Sequence, residues 1–200
     1  MAAVNPSLGS PLGPLEQMYQ QVILDHAKRP HGLGLAPCAD LPSTVTGESH
    51  QVNPTCGDEI TLRAVLAAAA GAETPGAAAA GSEAPGLEAP GRVLEAVTWE
   101  GQGCSISQAS ASIMTDLVTG LPLAEVTHLQ ELFSALMGSR GLGLDSEEEM
   151  DLLDDATAFT GTSKYPARIK CALLGWMALK DAVRRAQEPG TGDAGGRVAP

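Results

Sequence analysis

Residues 60–66 read Ile60-Thr61-Leu62-Arg63-Ala64-Val65-Leu66, ITLRAVL, and this alternation decides the fold class. Ile60, Leu62, Ala64 and Leu66 fall on one side of an extended chain, with Thr61, Arg63 and Val65 on the other, which predicts a half-buried strand. A second such run, RVLEAVTWEG at 92–101, places Val93, Val97 and Trp99 on one side and is the expected antiparallel partner. Residues 41–52 are expected to add a third, shorter strand. The sheet is flanked by helical periodicity. Leu15, Met18, Tyr19, Val22 and Ile23 recur at helical spacing until Pro30. Ile106, Ala109, Ile113 and Leu117 form one face of a helix stopped by Gly120. Pro122 opens another, with Val126, Leu129, Phe133 and Leu136 inward. An acidic segment at 145–159 leads to a last helix that starts at Pro166, with Ile169, Leu173, Trp176, Lys180 and Val183 on one side. Helices before and after a small meander predict an α+β sandwich, an antiparallel sheet of about three strands with helices on one face.

The two strands are separated by residues 67–91, AAAAGAETPGAAAAGSEAPGLEAPG, a stretch with almost nothing to bury and repeated Pro-Gly breaks. Closing a long loop costs little more than closing a short one, so the stretch reads as an insertion within one domain at 14–186. Residues 1–13 and 187–200 read as disordered tails.

The chain of 200 residues has 12 Lys and Arg against 24 Asp and Glu, a formal net charge of −12. That balance argues against nucleic acid, whose binders need a basic stripe. No run approaches the roughly 20 apolar residues of a membrane span. The first residues show neither a basic nor an apolar signal region, so the expected compartment is the cytoplasm. Four cysteines in that compartment point to ligands or reactive thiols before disulfides.

Three of the four stand at element boundaries. Cys56 lies in Asn53-Pro54-Thr55-Cys56-Gly57-Asp58, at the start of the first quoted strand. Cys104 immediately precedes a helix, and Cys171 falls in the first turns of the last one. Helix amino ends favour thiolates, which predicts that Cys104 and Cys171 lose their protons readily. Cys56 and Asp58, two apart on an extended segment, face the same way. Three thiolates and a carboxylate form a tetrahedral donor set for zinc, and Arg168 and Lys170 lie close by to offset its net −2 charge. The spacing alone leaves a second reading open, in which these are buried, inert thiols acting as small hydrophobes, since no CxxC pair anchors them. Cys38 is read as a bystander in a loop. His26, His31, His50 and His128 have no helical or strand spacing to a cysteine and are read as structural or solvated.

Four blocks in order, MYQQVILDHAKRPHGLG (18–34), NPTCGDEITL (53–62), GQGCSISQASASIMTDLVTG (101–120) and SKYPARIKCALLGWMALKDAV (163–183), resemble the SufU proteins of the IscU/NifU-like iron–sulfur cluster assembly family. The resemblance implies the same small α+β sandwich and makes Cys56, Asp58, Cys104 and Cys171 the zinc ligands. It implies a zinc-dependent acceptor of persulfide sulfur from the cysteine desulfurase SufS, delivering to the SufBCD scaffold. Any sulfurtransferase activity is then exercised only together with the desulfurase. The alternative within the family is an IscU-like scaffold that builds a [2Fe–2S] cluster on the same ligands. IscU proteins carry a Leu-Pro-Pro-Val-Lys stretch and a histidine just before the last cysteine. Here the segment is Tyr165-Pro166-Ala167-Arg168-Ile169-Lys170-Cys171, with a lysine in the histidine's place, and a lysine ammonium is not a ligand. The resemblance also points to Cys56 as the sulfur acceptor, with Cys171 as runner-up, and to Asp58 as a labile ligand. Arg168 is the candidate for orienting the site or contacting the desulfurase.

Overall fold

A computed structural model describes residues 13–36, 44–69 and 91–188. Cys38, most of both expected tails and most of the 67–91 insertion lie outside the described residues. The elements run α1 (Pro14–Lys28), β1 (Thr44–Asn53), β2 (Asp58–Ala68), β3 (Arg92–Gln102), α2 (Ser105–Val118), α3 (Leu123–Gly138), α4 (Glu147–Leu152), a 3-10 stretch (Asp154–Lys164) and α5 (Pro166–Gln187). The architecture is α+β, a three-stranded antiparallel sheet in the order β1-β2-β3.

In β2, Asp58, Ile60, Leu62, Ala64 and Leu66 are buried while the intervening residues are half-buried, the alternation expected of a sheet covered on one face. β2 runs two residues further than the sequence suggested, since Ala67 and Ala68 pair with Val93 and Arg92. A register shift at Val65/Leu66 sets Val65 opposite Ala96 and Leu66 opposite Leu94, leaving Glu95 as an extra residue. A bulge reverses which side chains face inward. For that reason Leu94, and not the expected Val93, joins Val97 and Trp99 in the core.

α5 lies across β1 and β2, and α2 sits between α1 and α5. The central position of α2 explains its small, almost all-round buried face of Ser107, Ala109, Ser110, Ala111 and Ser112. α5 is buried on two sides, through Ala178, Ala182 and Ala186 as well as Trp176 and Val183. Lys180 is exposed, against the expectation that it marks the inward side. α1 is more peripheral than its periodicity suggests. Ile23 is its buried anchor, whereas Leu15 and Met18 are more than half exposed. Phe133 stacks on Trp176 at 4.7 Å and meets Phe159 edge-on at 5.7 Å, joining α3, α5 and the 3-10 stretch.

Asp181 ties α5 to the sheet. The Ser49 hydroxyl donates to its Oδ2 at 2.9 Å, and Arg184 and Arg185 donate to its two oxygens at 2.7 and 2.8 Å. Burial acts to raise its pKa, but Arg184, Ser49 and the charge of Arg185 outweigh it, and the carboxyl is held below its ordinary value. A folded-state pKa below the unfolded one stabilises the fold at neutral pH, and that contribution is lost as the pH falls through the carboxylate range near 4. Asp181→Asn should therefore lower stability by about 1 kcal/mol at pH 7. The difference from the unsubstituted protein should shrink toward zero below about pH 3.5, as read by urea unfolding midpoints at several pH values.

Candidate metal centre

The β1–β2 hairpin creates one edge of the site. Asn53 Oδ1 accepts the Thr55 N–H at 3.1 Å, and the Asn53 carbonyl accepts from Cys56 and Gly57 N–H at 3.3 and 2.8 Å. This is the turn geometry that asparagine favours. Gly57 closes it with φ +76°, a conformation costly for any residue with a Cβ. The turn exposes Cys56 and delivers Asp58, 5 % exposed, into the first position of β2.

The other edge comes from two helices. Cys104 occupies the N-cap of α2, and its backbone N–H donates to Asp58 Oδ1 at 3.3 Å. Cys171, in the second turn of α5, is buried and its sulfur lies 3.4 Å from that of Cys56. One ligand atom each from Cys56, Asp58 and Cys171 falls within 4.8 Å of the others. The Cys104 sulfur stands outside that triplet, turned toward Ser107 Oγ at 3.8 Å.

Asp58 carries the main electrostatic tension. Burial pushes its carboxyl up, but Ser107 and the Cys104, Cys171 and Cys56 thiols more than compensate, so the group stays ionised below the ordinary range. Its Oδ2 is buried and has no hydrogen-bond partner. A buried anionic oxygen without a donor is costly unless a cation satisfies it. Cys171 departs from expectation. Its burial, then Cys56, Cys104 and Asp58 around it, push the thiol far above its ordinary value. The helix start does not overcome that burial and the groups around it, so this thiol holds its proton and a metal must displace it.

A metal fits this donor set. Bonds of about 2.3 Å from sulfur to tetrahedral zinc place two sulfurs about 3.8 Å apart, close to the 3.4 Å between Cys56 and Cys171. The orphaned Asp58 oxygen is the third atom of the triplet that could hold a metal, and the Cys104 sulfur lies outside it. Gly103 packs against the cluster, since a Cβ there would lie 2.4 Å from Ser107 Oγ and 2.9 Å from Asp58 Cγ.

Other residues take less central places. The Arg168 guanidinium lies 4.8 Å over the Tyr165 ring, exposed at the start of α5. Among the contacts of the described residues, none joins that guanidinium to the thiols or to Asp58. The Lys170 ammonium donates to Thr55 Oγ1 at 3.4 Å, beside Cys56. Asn53 and Ser107 are supporting residues that sequence reading did not single out. The Asn53 amide donates to the Cys171 sulfur at 3.7 Å, and Ser107 donates to the Cys104 carbonyl at 2.9 Å. The Asn-Pro turn signal and a serine three residues after a helix cap were the available cues. His50 hydrogen-bonds Thr61 on the sheet, at 3.0 Å, and His128 is exposed on α3.

Comparison with known proteins places the chain among relatives. Residues 86–185 match the family of NifU-like N-terminal domains. The chain is 34 % identical over 171 residues to the zinc-dependent sulfurtransferase SufU of Bacillus subtilis, covering 86 % of this chain and 92 % of that protein. It is 33 % identical over 175 residues to the iron–sulfur cluster assembly scaffold protein IscU of Streptococcus pyogenes, covering 87 % of both. Among solved structures it resembles a protein of Fervidobacterium islandicum described as a cluster assembly scaffold for the SUF system. The TM-score is 0.54 at 26 % identity, over 86 % of this chain and 99 % of that one. Among the described residues, no helix is long and apolar enough to cross a membrane.

Proposed function

The chain belongs to the NifU-like N-terminal domain family of iron–sulfur cluster assembly proteins, the family of SufU and IscU, and from that premise we propose that it accepts persulfide sulfur from a cysteine desulfurase of the SufS type. In this reading it passes the sulfur to a SufBCD-type scaffold. Cys56, Asp58, Cys104 and Cys171 hold zinc. The observation that carries the reading is the Asp58 oxygen, buried and without a partner beside two sulfurs 3.4 Å apart. When bound, zinc keeps the thiols as thiolates and shields them from oxidation.

The residues divide the work. Cys56 sits on an exposed turn, whereas Cys171 is built into α5 and its sulfur also approaches the Ala167 carbonyl at 3.7 Å. Moving a turn costs less than unwinding a helix, so Cys56 is the acceptor. Its thiolate attacks the outer sulfur of the desulfurase persulfide, a new S–S bond forms on Cys56, and the desulfurase cysteine leaves as its thiolate. No external oxidant or reductant is consumed. Lys170, reaching Thr55 next to Cys56, places a positive charge where the incoming persulfide carries negative charge. Arg168, exposed on the same helix start, is a contact for the desulfurase.

The test is to incubate the zinc-loaded protein with SufS and cysteine, alkylate, and locate the added sulfur by peptide mass. Sulfur on Cys56 is the expected result. Its appearance on Cys171 instead overturns the acceptor assignment, and its absence from every cysteine overturns the function. The same three thiols suit a [2Fe–2S] cluster, and the likeness to a scaffold protein keeps that second reading. A colourless preparation with one zinc separates it from a brown one with visible absorbance. Asp58→Ala should keep part of the zinc, on three thiolates, yet slow sulfur acceptance by at least about tenfold. Desulfurase stimulation equal to that of the unsubstituted protein would remove Asp58 from the mechanism.

A further inference from the structure

The opposite end of α2 carries a second group of metal-competent side chains. His26 lies in the last turn of α1, His31 sits in the loop that follows, and Asp116 lies in the last turn of α2. One ligand atom from each falls within 4.8 Å of the others. Asp116 is twelve residues beyond Cys104, about 18 Å along the helix, so this group is separate from the thiol centre. Asp155, from the 3-10 stretch, approaches His26 Nε2 at 3.5 Å. A cleft of about 90 Å³ between these elements is lined by His26, Asp116, Asp154 and Asp155 together with Ile113 and Leu117.

The arrangement is held from behind as metal-binding histidines are. Ser112, fully buried in α2, accepts the His31 backbone N–H at 2.8 Å and meets His26 Nδ1 at 2.8 Å. In the tautomer whose Nδ1–H donates to Ser112, the His26 Nε2 that faces Asp155 is free to ligate, with Ser112 as the second partner that orients the imidazole. The His31 carbonyl also accepts from Trp99 Nε1 at 3.0 Å, and Gly32 with φ +72° packs against Thr115. The His31 backbone is thereby fixed to α2 and β3, while its ring remains exposed beside Asp116 at 2.6 Å. Among the described residues, Asp116 and Asp155 have histidine ion-pair partners and no Lys or Arg. Carboxylates gathered from separate elements repel one another, and a cation between them relieves that repulsion.

We propose that His26, His31 and Asp116, with Asp155 at the rim, form a second metal site that takes a borderline divalent cation such as Co²⁺, Ni²⁺ or Zn²⁺ through two imidazoles and a carboxylate, leaving positions for water. Two histidines and one carboxylate with open positions match first-row transition ions, and the absence of sulfur separates this site from the thiol centre in metal preference. Bonds of about 2.1 Å set two tetrahedral ligand atoms about 3.4 Å apart, so the 2.6 Å contact between His31 and Asp116 opens while wider separations, all within 4.8 Å, close, movements available to the exposed His31 and Asp116 side chains.

The experiment saturates the thiols with one equivalent of Zn²⁺ and then titrates the full chain with Co²⁺. Calorimetry counts the sites, and broadening of the histidine ring signals locates the paramagnetic ion. One further equivalent of Co²⁺ is expected, with the His26 and His31 rings broadened. No thiolate-to-cobalt absorption should accompany it. His31→Ala and Asp116→Asn, both on exposed side chains, should each weaken that second equivalent by at least about tenfold and leave the zinc in place. No cobalt binding up to about 1 mM, or binding unchanged in both variants, overturns the site.

Discussion

Cys171→Ser is expected to yield a folded protein that no longer retains zinc through purification. Cys171 is the buried thiol of the cluster, its sulfur 3.4 Å from that of Cys56 and contacted by the Asn53 amide. Structural zinc is held by about 10–16 kcal/mol spread over four ligands, so losing one weakens binding by about 10²- to 10³-fold. A serine hydroxyl keeps most of the shape but is too weak an acid to replace the thiolate at neutral pH. The loss has a second readout. Metal at about a thousand times its Kd stabilises the native state by about 4 kcal/mol, worth about 8–16 °C in a chain of this length. The zinc-loaded protein should therefore melt higher than its chelated form by an interval of that order, and Cys171→Ser should lose most of it. Zinc retained at one equivalent, with the melting interval intact, would show that Cys171 is a packed thiol and not a ligand.

Gly47→Val is expected to cost about 3 kcal/mol or more, and to leave little folded protein at 37 °C. Gly47 lies in β1 beneath α5, where a Cβ would sit 1.9 Å from the Ala182 carbonyl oxygen and 2.6 Å from the Ala186 amide. Both obstacles are backbone, so no rotamer change relieves them, and α5 must lift from the sheet. That movement opens the packing of Ala178, Ala182 and Ala186 and shifts the helix that carries Cys171. Overpacking of this kind ordinarily costs about 1–3 kcal/mol and more when the backbone must move. Gly138→Ala is the matched control. It ends α3 with open space around the added carbon, and the gain in helix propensity should leave stability unchanged or raise it by about 0.5 kcal/mol. Equal losses for the two glycines, in thermal or urea unfolding, would refute the close contact between β1 and α5.

The periodicities were the legible part of the fold. ITLRAVL appears in β2 with its predicted inward side, and α3 buries Val126, Leu129, Phe133 and Leu136 as its spacing implies. The misreadings share one cause, since periodicity reports a pattern along the chain and not what lies opposite. Val93 gave way to Leu94 because a bulge between two strands shifted the count by one. Leu15 and Met18 continue the apolar spacing of α1, yet among the described residues they stay more than half exposed. Lys180 kept a helical spacing but faces solvent on a helix buried along two other sides.

The candidate centre divides along the same line. The chain itself determined that Cys104 stands at a helix cap, because a helix boundary is local geometry, whereas Cys56 and Asp58 come together through a turn closed by Gly57 at φ +76° and not along the extended segment their spacing suggested. Tertiary structure alone decided that Cys171, 115 residues beyond Cys56, comes to 3.4 Å from it, that Asp58 is sealed without a donor for one oxygen, and that Arg168 turns to Tyr165. It also decided that His26, His31 and Asp116 meet, which no spacing announces. Burial and charge act through distance in space, and distance in space is settled only when α2 and α5 dock on the sheet.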